Sequence, residues 1–140
     1  MAMDREIKFQ MDAEGVDWEA LTRSLIADDF SNGRTPDELR RSFENSHVVC
    51  FARVNGQVVG KGRLLSDSVC NAYLVDMWTS SNFRRRGIAR TILSNLVGSV
   101  PGQHVYLQAD DDLVDFYEKL GFHPHPNGMA RVEGAWLNRV

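Results

Sequence analysis

The sequence predicts a mixed α/β (α+β) fold on a single domain spanning residues 1–140, with a central sheet of six to seven strands and about four helices. Three observations carry this. Segments that alternate apolar and polar residues trade places with segments whose apolar residues recur every three or four positions. Asn55-Gly56 separates two runs rich in β-branched and aromatic residues, the strongest short signal of a hairpin. Residues 72–109 read as strand, glycine turn, long apolar-striped helix and strand, a crossover unit whose two strands should be parallel. A chain of 140 residues suits one domain, since domains commonly run ~100–150 residues.

The elements follow in the order β-α-α-β-β-β-α-β-α-β, with room for one further strand. Ile7, Phe9 and Met11 alternate with polar residues and mark a first strand. From Trp18 the spacing becomes helical, with Leu21, Leu25 and Ile26 on the same face. After a loop containing Ser31-Asn32-Gly33, Thr35-Pro36-Asp37-Glu38 opens a second helix. Thr35 caps, Pro36 suits the first helical position and Glu38 completes a capping box. Val48–Val54 and the run from Gln57 through Leu65 are the hairpin arms, and Ala72–Thr79 is the third strand of the meander. Ile88, Ile92, Leu93, Leu96 and Val97 form the stripe of the next helix, which Gly98 and Pro101 end. His104–Ala109 is a short strand, and Leu113, Phe116, Tyr117 and Leu120 stripe a last short helix with Gly121 at its C′ position. Phe122 to Val140 is expected to supply the closing strand or strands.

Composition excludes several classes of function. With a formal net charge of −3 and an isoelectric point near 5.8, the chain lacks the basic surplus of a general nucleic-acid or membrane binder. No apolar run approaches the ~18 residues that span a bilayer. The first six residues carry no apolar signal region, so a cytoplasmic location is expected. Cys50 and Cys70 have no metal-ligand neighbours in sequence and are expected as two buried free thiols in a reducing compartment.

Against this acidic background, Phe83-Arg84-Arg85-Arg86-Gly87-Ile88-Ala89-Arg90 concentrates positive charge at a helix start. A helix N-terminus carries unpaired backbone N–H groups and roughly half a unit of positive charge. Arginines there are unfavourable unless an anion arrives, and glycine lets that anion reach the backbone. The combination is an anion site, above all for phosphate. Neither a P-loop nor a G-x-G-x-x-G fingerprint is present. What is present is R-x-x-G-x-A, from Arg84 to Ala89.

This pattern resembles the acyl-CoA signature of the GNAT (GCN5-related N-acetyltransferase) superfamily, [QR]-x-x-G-x-[GA]. "VDMWTSSNFRRRGIARTIL" is similar to the family's strand, pyrophosphate turn and helix, and "DLVDFYEKLGFHP" to its second signature. The resemblance runs from about Ala72 to Pro124, and the element order agrees over nearly the whole chain. It implies a GNAT-like acyl-CoA N-acyltransferase fold, and an N-acetyltransferase that uses acetyl-CoA as co-substrate and needs no metal. It implies that the amides of Arg85, Arg86, Gly87, Ile88 and Ala89 cradle the pyrophosphate, with Arg84 in the motif's first position and Arg90 close by. It implies a bulge in the preceding strand, where the pantetheine arm lies along Met77, Trp78 and Thr79 and one amide, that of Met77, holds the thioester oxygen. Two positions depart from the family pattern. Asp110 stands where asparagine is common beside the pantetheine arm, and Ser81 replaces the proline after the bulge.

In this family an amine attacks the thioester directly, so no cysteine nucleophile is expected. Tyr117 stands in the general-acid position. An unperturbed tyrosine has pKa ~10 and a thiol ~8.5, so full proton transfer to the leaving thiolate is uphill by about 2 kcal/mol. A hydrogen-bond donor role is the alternative. Asp76, beside the expected bulge, is the first candidate for the base, because a carboxylate within a strand is costly unless paired or used. Asp28 and Asp29 are candidates to attract a cationic amine instead. The loop and helices of residues 18–46 should form the acceptor pocket, with apolar walls from Trp18, Phe30, Phe43, Trp78 and Met129 and negative charge from Asp28, Asp29, Glu38 and Glu44. A small primary amine is the expected acceptor. A protein N-terminus or lysine is the runner-up, and a catalytically silent CoA-binding module is a third reading. The resemblance also allows a homodimer.

Overall fold

A computed structural model describes residues 6–133, and every element below lies among them. β1 (Lys8–Gln10) leads into α1 (Trp18–Ala27) and α2 (Pro36–Glu44). Then come β2 (Val48–Val54), β3 (Gln57–Ser66), β4 (Asn71–Thr79), α3 (Ile88–Gly98), β5 (His104–Tyr106) and α4 (Val114–Glu118). The strands form one sheet in chain order, antiparallel from β1 to β4 and parallel between β4 and β5.

Local chemistry sets the boundaries. Asp17 caps α1 by accepting from the Ala20 N–H, and Thr35 and Glu38 close a reciprocal capping box on α2. Asn55 and Gly56 both take positive φ, as a type I′ hairpin turn requires. The sheet buries both faces. Leu21, Leu25, Leu39 and Phe43 of α1 and α2 pack on Val49, Phe51, Val58 and Trp78. Ile88, Ile92, Leu93 and Leu96 of α3 pack on the opposite face against Cys50, Ala52, Val59, Leu64 and Leu74. Gly60 and Gly62 let α3 settle close to β3. A methyl at Gly60 would lie 2.6 Å from Ile88 Cγ2, and one at Gly62 would lie 2.5 Å from Met77 Sδ.

Three expectations are corrected. The sheet has five strands among the described residues, not six or seven. Residues 122–133, broken by Pro124, Pro126 and Gly128, form none, and the rest of the expected closing segment lies outside the described residues. β5 ends at Tyr106 rather than Ala109. Of the two free cysteines only Cys50 is buried. Cys70 is exposed at the end of the Ser66–Asn71 turn, where Asp67 gathers the N–H groups of Val69, Cys70 and Asn71.

Candidate active site

β4 and β5 part company. β5 pairs with β4 only from Asn71↔His104 to Tyr73↔Tyr106. Beyond Tyr73, β4 has an edge with no strand partner among the described residues. There a cavity of about 440 Å³ opens between that edge, the start of α3 and α4.

β4 carries a bulge at the same place. Its register with β3 slips between Lys61↔Trp78 and Arg63↔Val75, and Asp76 takes a left-handed conformation with φ +64°. A bulge of this kind re-aims ladder groups. The Ser80 N–H donates to Val59 O at 2.8 Å, so Ser80 faces β3. Amide groups alternate between the two edges of a strand. Trp78 N–H therefore also faces β3, while Met77 and Thr79 N–H face the free edge. Met77, Trp78 and Thr79 all line the cavity.

The arginine turn closes one end. Arg85 (φ +65°) and Gly87 (φ +77°) are both left-handed, and Gly87 is the N-cap of α3, with no side chain capping it. A Cβ at Gly87 would meet no protein atom within 4 Å. Arg84, Arg85, Gly87, Ile88, Ala89 and Arg90 line the cavity. Arg86 does not. Its guanidinium stacks over the Phe83 ring at 5.2 Å, leaving only its backbone for the expected role.

Tyr117 and Asp110 lie across from this turn. Tyr117 is 8% exposed and packs edge-on against Phe116 and Phe122. Burial, and then the charge of Asp110, push its hydroxyl above the ordinary tyrosine value. Asp112, Phe83, Leu113 and Phe116 also line the cavity and were not singled out as site residues. Leu113 and Phe116 share a helical stripe with core positions, so periodicity alone places them in the core.

Asp76 is not arranged as a base. Arg34 grips its carboxylate with Nη1 at 3.0 Å and Nη2 at 2.7 Å, and Arg63 Nε donates to Oδ2. Lys61 Nζ lies 3.4 Å from Oδ1 and 3.0 Å from the Asp76 backbone oxygen. Burial alone would raise this carboxyl, but Lys61, Arg34 and Arg63 hold it far below the carboxylate range. So weak a base, with both oxygens occupied, has little capacity to take a proton from an ammonium. Lys61 itself is fully buried, with its ammonium 5.2 Å and 5.4 Å from the Phe30 and Phe43 rings. Desolvation lowers its pKa to about 8 against the opposing pull of Asp76. The signal for this cluster was two cations, Lys61 and Arg63, on one face of an otherwise apolar strand.

The expected acidic acceptor pocket is also corrected. Asp28 Oδ2 accepts from Trp78 Nε1 and from the Ser81 N–H, both at 3.0 Å. Glu38 belongs to the capping box, and Glu44 pairs with Arg40. None of Asp28, Asp29, Glu38 or Glu44 lines the cavity, whose carboxylates are Asp110 and Asp112. Phe30 does line it. The end of α1 explains how. Asp29, at φ +56°, donates to Ile26 O while Phe30 N–H donates to Leu25 O, a Schellman closure that turns the chain onto the sheet. Of the other expected walls, Trp78 lines the cavity. Trp18 and Phe43 stack with Phe51 in the core, and Met129 is 98% exposed.

Comparison with known proteins gives consistent matches. Residues 10–137 match the family model for the acetyltransferase (GNAT) domain. The chloroplastic GCN5-related N-acetyltransferase 2 of Arabidopsis thaliana is 29% identical over 76 residues, covering 52% of this chain and 30% of that relative. The chain spans less than half the length of the curated relatives it matches. Among solved structures, a candidate acetyltransferase from Deinococcus radiodurans R1 superposes with a TM-score of 0.80 at 28% identity, covering 93% of both chains. A candidate acetyltransferase from Clostridium acetobutylicum, crystallised with acetyl-CoA, gives a TM-score of 0.69 over 91% of this chain and 96% of that one. At 21% identity that second likeness is one of fold.

Proposed function

The chain belongs to the GNAT acetyltransferase family, and on that premise we propose that it is an N-acetyltransferase carrying an acetyl group from acetyl-CoA to the primary amine of a small molecule. The observation that carries this reading is the single cavity joining the uncapped α3 N-terminus, the free edge of β4 beside its bulge, and Tyr117. The residues fit the donor. Gly87 leaves its left-handed backbone open to a ligand, and the edge of β4 has amides to offer an extended arm.

When bound, acetyl-CoA supplies the acetyl group as an activated thioester, which the acceptor amine attacks directly. The amides of Arg85, Arg86, Gly87, Ile88 and Ala89 bind the pyrophosphate, and Arg84 and Arg90 add side-chain charge. Met77, Trp78 and Thr79 flank the pantetheine arm, with Asp110 opposite. Met77 N–H donates to the thioester oxygen and stabilises the charge that develops there. Tyr117 donates a hydrogen bond to the leaving sulfur and keeps its proton, so CoA departs as the thiolate and the proton released by the attacking amine passes to water. Asp76 is removed from the base role and kept as a structural carboxylate. Phe30 and Trp78 give the acceptor an apolar wall, which suits a small amine.

An amine panel scored by release of CoA thiol tests the acceptor class. Turnover with small amines, and none with peptides, is expected. Turnover with peptides only would move the acceptor to a protein N-terminus or lysine, and silence with both would leave a CoA-binding module. A second result follows from the arginine turn. Arg85→Ala should weaken acetyl-CoA binding by no more than about fivefold, because its contribution is a backbone amide and an exposed charge is worth about 0–1 kcal/mol. Calorimetric titration measures this. A loss larger than that of a Gly87 substitution would make the clamp a side-chain site.

A further inference from the structure

We infer that Lys61, a residue with no contact to the cavity, is the positioning residue that holds the Met77 amide ready for the thioester oxygen. Asp76 C=O and Met77 N–H belong to one peptide group. No cis peptide occurs among the described residues, and in a planar trans peptide these two bonds point in opposite directions. Lys61 Nζ donates to the Asp76 carbonyl at 3.0 Å from the β3 side. The N–H of the same peptide is thereby turned away from β3, towards the free edge where Met77 lines the cavity. The alternation set by the Ser80–Val59 bond demands the same direction for Met77 N–H.

The bulge makes this support necessary. The register slip opposite Gly62 takes Asp76 out of the regular ladder, and a buried carbonyl without a partner costs about 1–3 kcal/mol. Lys61 supplies the partner. Arg34 and Arg63 hold the carboxylate of the same residue, so the left-handed turn at Asp76 is fixed through both its backbone and its side chain. Phe30 and Phe43 cover the ammonium, and Lys61 is 0% exposed, so no water competes for the carbonyl. A buried lysine is costly. One that grips a backbone carbonyl at the bulge has a stated use there.

The inference rests on the reading of Met77 N–H as the donor to the thioester oxygen, and its test separates the two. In Lys61→Met the ammonium is lost while the side-chain bulk beside Phe30 and Phe43 remains. Turnover should fall about 30-fold, less than the ~100–1000-fold typical of removing an oxyanion donor outright, because the amide is misaligned and not deleted. CoA affinity and acceptor KM should change by less than about threefold, since neither contact is touched. Lys61→Arg, which keeps a donor on the carbonyl, should recover most of the lost turnover. Independently of activity, the ¹H–¹⁵N spectrum of the unliganded Lys61→Met chain should show the Met77 amide displaced while the amides of α3 keep their positions. That same spectrum, dispersed and otherwise native, verifies folding. If Lys61→Met does not fold, Lys61→Gln takes its place in the same comparison, its shorter, neutral side chain releasing the grip on the Asp76 carbonyl, and an unmoved Met77 amide in that folded chain overturns the inference. An unmoved Met77 amide in folded Lys61→Met overturns it as well, as does an equal loss of turnover and of CoA affinity. If the unmodified chain transfers no acetyl group to any amine, the functional reading fails, and a displaced Met77 amide still supports the role of Lys61.

Discussion

Gly87→Val is expected to abolish the rise in melting temperature that acetyl-CoA gives the unmodified chain. A ligand at a hundredfold excess over its Kd stabilises the folded state by about 2.7 kcal/mol, which for a domain of this size is a shift of roughly 10 °C. Two effects act together at Gly87. Its φ of +77° is a conformation that a side chain enters at a cost, about 1–2 kcal/mol for an L-residue. The space its Cβ would fill is empty of protein atoms to 4 Å. No packing demand of the protein keeps glycine there, and what a side chain displaces is the ligand. Gly87→Asn separates the two effects, because asparagine tolerates the left-handed region. It should melt close to the unmodified chain without ligand and still lose about 100-fold in affinity for acetyl-CoA, as expected when charge-assisted bonds from several amides to a phosphate are blocked. Native affinity in a well-folded Gly87→Asn chain would sink the backbone-clamp reading.

What was legible in the sequence was local. The capping box at Thr35, the Asn55-Gly56 turn, the stripe of α3 and the arginine turn each depend on residues within a few positions of one another, and each stands where its chemistry puts it. The bulge was legible through the resemblance, and it lies at Asp76, next to Met77. The role of Asp76 was not legible. A carboxylate in a strand reads equally as a base or as a paired charge, and what decides is the company it keeps. Its partners come from 42 positions away at Arg34 and from 13 and 15 away at Arg63 and Lys61. No periodicity links those residues. The loop before α2 carries Arg34, and only the folded meander brings it over the bulge. The same limit applies to Asp28. Its acidity suggested attraction of a cation, whereas hydrogen bonds from the Ser81 N–H and the Trp78 indole make it a tether between α1 and the end of β4.

Tyr117→Phe is expected to lower kcat about 100-fold and to leave acetyl-CoA affinity within about twofold, the upper range for one hydrogen bond to a charged group. The substitution removes one hydroxyl. The ring contacts with Phe116 at 5.1 Å and Phe122 at 5.8 Å survive, and no protein hydrogen bond of the hydroxyl is found among the described residues, so stability should barely change. The pH dependence then distinguishes two roles. Burial and the nearby Asp110 raise the pKa of this hydroxyl above its ordinary value. The protonated, donating form therefore persists across the neutral and mildly alkaline range, and transfer of the proton to a thiolate is more uphill than the ~2 kcal/mol of the free groups. A donor that keeps its proton predicts no alkaline fall in kcat below about pH 10 that depends on Tyr117. An alkaline limb near pH 8 that vanishes in Tyr117→Phe would mean full proton transfer from a tyrosine acidified by bound substrate. Equal kcat in the two chains would return Tyr117 to the core. The raised pKa favours the donor role, because a hydroxyl that stays protonated can stabilise the departing thiolate in every turnover without waiting to be recharged.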